Sequence, residues 1–470
     1  MDTASTNGWD TVFAMHIAEV NRAIAKAGTS PAAFEVTDAE DGITATGRFG
    51  TWQIVPGGDG ALVCLGIPIT EVLMHCPPPM PAVTIASALL KVEVRLSFLH
   101  AAEEAGTGNT HHLKVRTTPL TTESESHKVA IITDIAFPGT KPSFLVQASL
   151  QALLEAWLNE NLGDFDHIFA TIDLSRTADK EQFHWMQPTD HAYAYSDLGT
   201  KEDGALAILC MTQGRSPTGL IEQLSYAAIA PGQRAGFLIS KERILAQMIL
   251  PAMPRMFPGT SSADFALSAS GDSIINAHDS VSFTATDDGG KEHSAKIISL
   301  SLRIEAGELQ LDVQTVTDLS PGIRARCHTQ NFLAIALITK PDGTQTLGFS
   351  DARPALIEHW TDHDQGFDLA GEILLVASIV ALAVATVATA GTALAAAALI
   401  AGIVIGVGAA AVAITEKAIE MAGENDAPAI DSMLLNATAP IIWPDSTDFK
   451  LTSAQLNDSL QLSGTFLAVT

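Results

Sequence analysis

The densest polar constellation in the chain is Glu358-His359-Trp360-Thr361-Asp362-His363-Asp364. Two histidines four residues apart would share one face of a helix, as ligands to one metal ion must, and Asp362 or Asp364 could add a carboxylate. The same residues also fit a solvated lead-in to the apolar segment behind them, with acids near a helix start, or a proton-sensitive hinge. Histidine pairs at this spacing are common by chance, so no metal is assigned. Gly271-Asp272-Ser273-Ile274 offers a serine nucleophile after a Gly-Asp pair, but mid-chain between strand signals it reads as a turn. The adjacent His111 and His112 alternate across a strand and cannot readily chelate together. The phosphate-binding pattern, the H-E-x-x-H zinc pattern and the G-x-S-x-G elbow are absent from the sequence. No catalytic residue and no cofactor is assigned.

The elements that would position these groups are mostly strands. Val12, Ile17, Val20, Ile24 and Ala27 predict a first helix over Asp10–Ala27, ended by Gly28. Ile43–Val55 and Ala61–Ile69 flank a Pro-Gly-Gly-Asp-Gly turn and predict a hairpin. Val92, Val94, Leu96 and Phe98 alternate with polar residues, and Leu113–Thr117 and Val129–Phe137 continue that sheet. A helix over Phe144–Leu162 carries the stripe Leu150, Leu153, Leu154 and Trp157. Strands resume at His167–Leu174, Ala192–Tyr195 and Ala205–Met211. A further helix over Lys241–Phe257 carries Ile244, Leu245, Met248 and Met253, with Pro251 and Pro254 set to bend or end it. Both stripes read as core or as the lining of a tube for a lipid chain. Ile298–Ile304 and Leu309–Val313 alternate around Ala306-Gly307, the clearest antiparallel hairpin. Phe332–Ile338 and Thr344–Phe349 follow, and Leu456–Leu462 and Thr465–Val469 read as closing strands.

Between these lies an unbroken run of 43 uncharged residues, Ile373 to Thr415, sixteen of them alanine. A membrane span needs about 20 apolar residues, so the run is long enough for two. Ala388-Thr389-Ala390-Gly391-Thr392-Ala393 holds its smallest side chains. The expectation is a helical hairpin with limbs Ile373–Thr389 and Thr392–Thr415. Ile373, Leu374, Leu375, Ile379 and Leu382 on the first limb, and Leu399, Ile400, Ile403, Val404 and Ile405 on the second, would face lipid. The flanks lack the Lys/Arg cluster of resident membrane proteins. Conditional insertion, or shielding by a partner, therefore fits better than a permanent anchor.

With 26 basic and 53 acidic side chains in 470 residues, the net charge is −27. That argues against nucleic acid, whose binding is dominated by Lys/Arg contacts to phosphate, and disfavours anionic membranes at neutral pH. Protonating all 14 histidines would take the charge to −13. Cys64, Cys76, Cys210 and Cys327 are far apart, and no C-x-x-C pair indicates a zinc site or a disulfide framework. The first residues carry no basic patch or apolar signal core. The expectation is a protein made in the cytoplasm without a signal peptide and released by another route to act at membranes.

Two motifs carry a resemblance. Asn7-Gly8-Trp9-Asp10-Thr11-Val12, followed by Val20-Asn21-Arg22-Ala23-Ile24, resembles the start of the accessory proteins encoded beside some clostridial neurotoxins, the OrfX type and their 47-kilodalton relative. Ile239-Ser240-Lys241-Glu242 leading into Met248-Ile249-Leu250-Pro251 is similar to an internal segment of that family. The resemblance implies the tubular lipid-binding (TULIP) fold and a role in a toxin-associated cluster. It transfers no catalytic residue, and the uncharged run departs from its pattern.

The expected fold is α+β and TULIP-like: long antiparallel sheets wrapped around long apolar helices, with an inserted Ala-rich helical hairpin. The expected modules are 1–215, then 216–352 with 430–470, with 353–429 inserted. The expected function is a non-enzymatic lipid-binding or membrane-interacting protein, its partners a lipid or membrane and other proteins of the same cluster, with no nucleic acid. The alternative is a structural component of a toxin complex whose apolar hairpin is buried at an interface. A third possibility, a hydrolase using Ser273 or the His359 group, has the weakest support.

Overall fold

The computed structural model describes residues 3–77, 81–100, 109–118, 128–176, 184–198, 203–257, 259–286, 292–320, 323–339, 345–363, 434 and 437–468. The expected hairpin, Ile373–Thr415, lies outside the described residues. The described chain is β-rich with few helices, and every strand pairing is antiparallel.

A six-stranded sheet forms the centre. It contains β1 (Thr11–His16), β10 (Pro188–Ser196), β11 (Ala205–Thr212), β12 (Ala235–Ser240), β21 (Ser446–Asn457) and β22 (Ser459–Ala468), in the order β10-β11-β1-β12-β22-β21. Its strands come from both expected modules. All residues of β11 and β12 are buried. One face, with Phe13, Met15, Ile208 and Phe237, joins the main hydrophobic core. The other, with Val12, Ala14, Leu209 and Leu238, lies under the N-terminal residues Ala4 and Trp9 and the segment bearing Leu224 and Ile229.

That two-sided burial corrects the first helix. Asp10–His16 does not join it: Thr11–His16 is a strand, and α1 runs only over Ile17–Ala27. A strand covered on both faces is apolar at every position and loses the period that would separate it from a helix. The Nδ1 atom of His16 accepts from the amide of Ala18 and starts α1, and Gly28, at φ +61°, ends it.

A nine-stranded sheet includes β2 (Ala33–Asp38), β3 (Ile43–Phe49), β5 (Leu62–His75), β6 (Val83–His100), β7 (Thr110–Val115), β9 (Ala170–Asp173) and β20 (Ile441–Ile442) in that order. Within it β4 (Gln53–Asp59) pairs with β5, and β8 (Ile131–Ala136) pairs with β6. Helix α2 (Phe144–Asn161) is laced to β8 by a polar row at helical spacing. Gln151 donates to the carbonyl of Ile132 (2.7 Å), Glu155 accepts from its amide (3.0 Å), and Asn159 accepts from Val129 and Ala130. A lone strand edge is a hazard that such a cover removes.

A seven-stranded sheet includes β13 (Phe265–Leu267), β14 (Ser273–Asn276), β16 (Glu292–Glu305), β17 (Glu308–Ser320), β18 (Ile323–Thr339) and β19 (Gln345–His363), with β15 (Val281–Thr286) paired to β16. The expected β16–β17 hairpin is present: Ile304 pairs with Leu309 across Ala306-Gly307, both at positive φ. The closing strands need correction. The turn falls at Asp458, φ +66°, so Leu456–Leu462 straddles two strands instead of forming one.

Gly236 in β12 is a close approach between backbones. A Cβ there would lie 2.1 Å from the Ala228 carbonyl oxygen of the covering segment. Gly236→Ala is expected to destabilise by about 1–3 kcal/mol. Unchanged thermal unfolding would show that the cover is not held against the sheet.

Candidate functional site

The two motifs of the resemblance meet in space. Asn7 and Gly8 take positive φ, and a Cβ on Gly8 would lie 2.8 Å from a Leu220 methyl. Trp9 is buried and donates its indole N–H to the Ile221 carbonyl at 3.0 Å; Asn7 donates to that of Gln223 at 2.9 Å. Together these bonds tie the segment over the central sheet. Asp10 is 0% exposed; its carboxylate accepts from the amide and hydroxyl of Thr212, both at 2.8 Å, and pairs with Arg215.

The second motif supplies a further cation. Ser240 caps the helical segment that follows by accepting from the Arg243 amide. That cap places Arg243, itself buried, with Nε 3.9 Å from Asp10 and its guanidinium 5.5 Å from the Trp185 ring centre. Burial lowers the Arg243 pKa. Lys241 pairs with Asp458 at 3.0 Å in the closing turn. Asn21 acts as a mock strand residue, bonding both the amide and the carbonyl of Ile54. The motif residues thus tie strands and covering segments together.

Helix α2 places Leu150, Leu153, Leu154 and Trp157 in the main core, where the Trp157 ring lies 5.0 Å from Phe49 and 6.4 Å from Phe34. Ile244, Leu245, Met248 and Met253 are in the same core. Their helical segment opens as an α-turn (Lys241–Arg243), widens to a π-helix (Ile244–Ile249), tightens to 3-10 at Leu250–Ala252 and closes as α over Met253–Met256. Pro251 and Pro254 account for the change of winding, since each lacks an amide proton. All eight positions expected to line a lipid site are therefore buried in the main hydrophobic core.

The polar constellation is corrected. Residues 358–363 lie on β19, not on a helix. On a strand, His359 and His363 are about 13 Å apart at about 3.3 Å per residue, too far to share an ion. Strand pairing instead sets His328 beside Glu358; its Nε2 atom is 2.9 Å from Asp312. Gly271-Asp272-Ser273 is a turn: Gly271 has φ +74°, and Asp272 accepts from the hydroxyls of Ser268, Ser270 and Ser273. Those bonds lower the Asp272 pKa. The four cysteines are free thiols. Among the described residues no helix is long and apolar enough to cross a membrane.

Sequence reasoning missed the aromatic packing around α2 and two ring-packed histidines, His167 buried and His191 half-buried. His167 packs edge-on against Trp52 and Phe169, at 5.8 and 5.1 Å. His191 packs against Phe98 and His111, at 4.5 and 4.9 Å. Burial is the main cause that lowers both pKa values to about 4; for His191 the neighbouring His111 adds to it. Only the tertiary fold brings these rings together.

The family described as OrfX-like, Protein OrfX2/OrfX3/P47, matches residues 6–464. The chain is 28% identical over 488 residues to Protein OrfX3 of Paraclostridium bifermentans, with 98% of each covered. It is likewise 28% identical over 492 residues to Protein OrfX3 of Clostridium botulinum (strain Kyoto / Type A2), with 99% of each covered. The fold is similar to that of P47 from Clostridium botulinum A2, with a TM-score of 0.64 at 17% identity over 98% of both chains. The family implied by the Gly8-Trp9-Asp10 and Ser240-Lys241 motifs is the family found, and the chain belongs to the OrfX-like family of OrfX2, OrfX3 and P47 proteins.

Proposed function

We propose that this chain is a non-enzymatic lipid-binding or membrane-interacting protein of a toxin-associated gene cluster. It would be built of TULIP-like modules, 1–215 and 216–352 with 430–470, with β19 running on into the inserted 353–429 segment, whose Ile373–Thr415 hairpin enters membranes. The observation that supports this function is the placement of the uncharged run. Ile373–Thr415 falls in sequence between β19, in the seven-stranded sheet, and β20, in the nine-stranded sheet, and its 43 uncharged residues are long enough for two membrane spans. Its transfer into hydrocarbon would be driven by burial of apolar surface at about 25 cal/mol per Å². The interior stripes on α2 and on 241–256 are apolar enough to take an acyl chain between sheet and helix.

The test compares the intact chain with a variant in which Ile373–Thr415 is replaced by a Gly-Ser linker. Both are floated on phosphatidylcholine vesicles at pH 7.5 and pH 5, then washed in alkaline carbonate. The intact chain should resist the wash, and the linker variant should lose at least about tenfold of that fraction, since each 1.4 kcal/mol is a factor of ten. A linker variant that resists the wash equally sinks the insertion device. An intact chain that fails to float at either pH points to the alternative, a run buried against another protein of the cluster.

A further inference from the structure

We infer that the turn between β8 and α2 is the surface by which this protein first touches a lipid bilayer, with Phe144 and Leu145 as the side chains that enter it. This inference rests on the membrane reading above but names a different part of the chain. Phe144 and Leu145 are 81% and 72% exposed, whereas every other exposed large hydrophobic among the described residues is at 56% or less. They are adjacent, at the first turn of α2, just beyond the Pro138-Gly139-Thr140-Lys141-Pro142 turn. Strand pairing adds Leu89, 40% exposed, beside Ala136 at the root of the same turn.

Charge points to the occupant. In a chain of net charge −27, the twenty residues Ile135–Leu154 hold one charged side chain, Lys141. A carboxylate would oppose entry into the headgroup layer, and none is present on this stretch. Lys141 can lay its stem on the apolar surface and hold its ammonium at the phosphate level. Area argues the same way. Two exposed side chains of this size offer on the order of 300 Å², well short of the roughly 800 Å² per partner of a stable protein interface. A bilayer needs no matching surface and accepts single inserted side chains.

The row Gln151, Glu155 and Asn159 fixes the helix to β8 at its far end, so the tip is presented by a rigid mount. Because Phe144 and Leu145 are exposed, replacing them should leave the fold intact.

The experiment is flotation of the full chain on phosphatidylcholine vesicles at pH 7.5, without the carbonate wash. It compares the unaltered protein with Phe144→Glu/Leu145→Glu, the milder Phe144→Ser/Leu145→Ser, the conservative Phe144→Trp, and the control Tyr226→Glu at an exposed aromatic elsewhere. Each variant is first checked for an unchanged melting profile. The expected result is a drop in bound fraction of about tenfold or more for both tip variants, with Tyr226→Glu unchanged and Phe144→Trp retaining binding. Equal flotation of the tip variants and the unaltered chain would overturn the tip while leaving the membrane reading in place. An unaltered chain that does not float at pH 7.5 would overturn the tip, and one that also fails to float at pH 5 would overturn the membrane reading as well.

Discussion

Replacing Asp10 with alanine is expected to remove about 3–5 kcal/mol of stability, the usual loss when one partner of a buried ion pair is deleted. The carboxylate is fully buried, takes two bonds from Thr212 and neutralises Arg215 and Arg243. Without it the Thr212 amide and hydroxyl lose their acceptor, and Arg243, already penalised by burial, keeps its charge with no anion. Arg215→Ala removes only a half-exposed partner and should cost under about 1 kcal/mol. Thermal unfolding of the two variants side by side decides the matter. A loss for Asp10→Ala no larger than that for Arg215→Ala would show that the node is solvated and that the family motif has another purpose.

How far the sequence foretold this site depends on chain distance. Leu300, Leu302 and Ile304 alternate against Leu309, Leu311 and Val313 with a two-residue turn between them, so the β16–β17 hairpin is readable from a single short stretch of chain. Helix α2 is readable because its stripe is long and nothing in it breaks helical spacing. The central sheet is not readable this way. β1, β11 and β12 are apolar on both faces, and apolarity without a period does not distinguish strand from helix. The Leu456–Leu462 run hid its turn because Asp458, the residue at positive φ, sits between leucines that belong to opposite strands. Asp10 and Arg243 meet only after β1 and β12 pair, and no local pattern announces an ion pair between residues so far apart. The resemblance marked both segments without saying what they do, and the structure assigns them to packing.

Acidification is expected to destabilise the protein between pH 6.5 and about pH 4, and His167 and His191 account for much of that loss. Both rings are held neutral in the folded chain, with pKa values of about 4 against an ordinary 6.5. Between these values the unfolded chain binds a proton on each ring and the folded chain does not, so stability falls as pH falls. The gap is worth about 3 kcal/mol per ring at most. Asp166 opposes the shift at His167, and Asp190 opposes it at His191 while His111 reinforces it. The location gives the loss a direction. His191 packs against His111 of β7; His112 of β7 bonds Thr171 of β9, and β9 pairs through Thr171 and Ile172 with β20, the first described strand after the uncharged run. Proton uptake at His167 and His191 would loosen the sheet that holds β20. Melting curves at pH 7.5, 6 and 4.5 for the unaltered chain and for His167→Phe/His191→Phe measure the contribution. The double variant keeps ring packing and removes both proton sites, so its curve should be markedly flatter between pH 6.5 and 4.5. An equally steep loss in the variant would assign acid sensitivity to carboxylates instead and remove these histidines as a trigger.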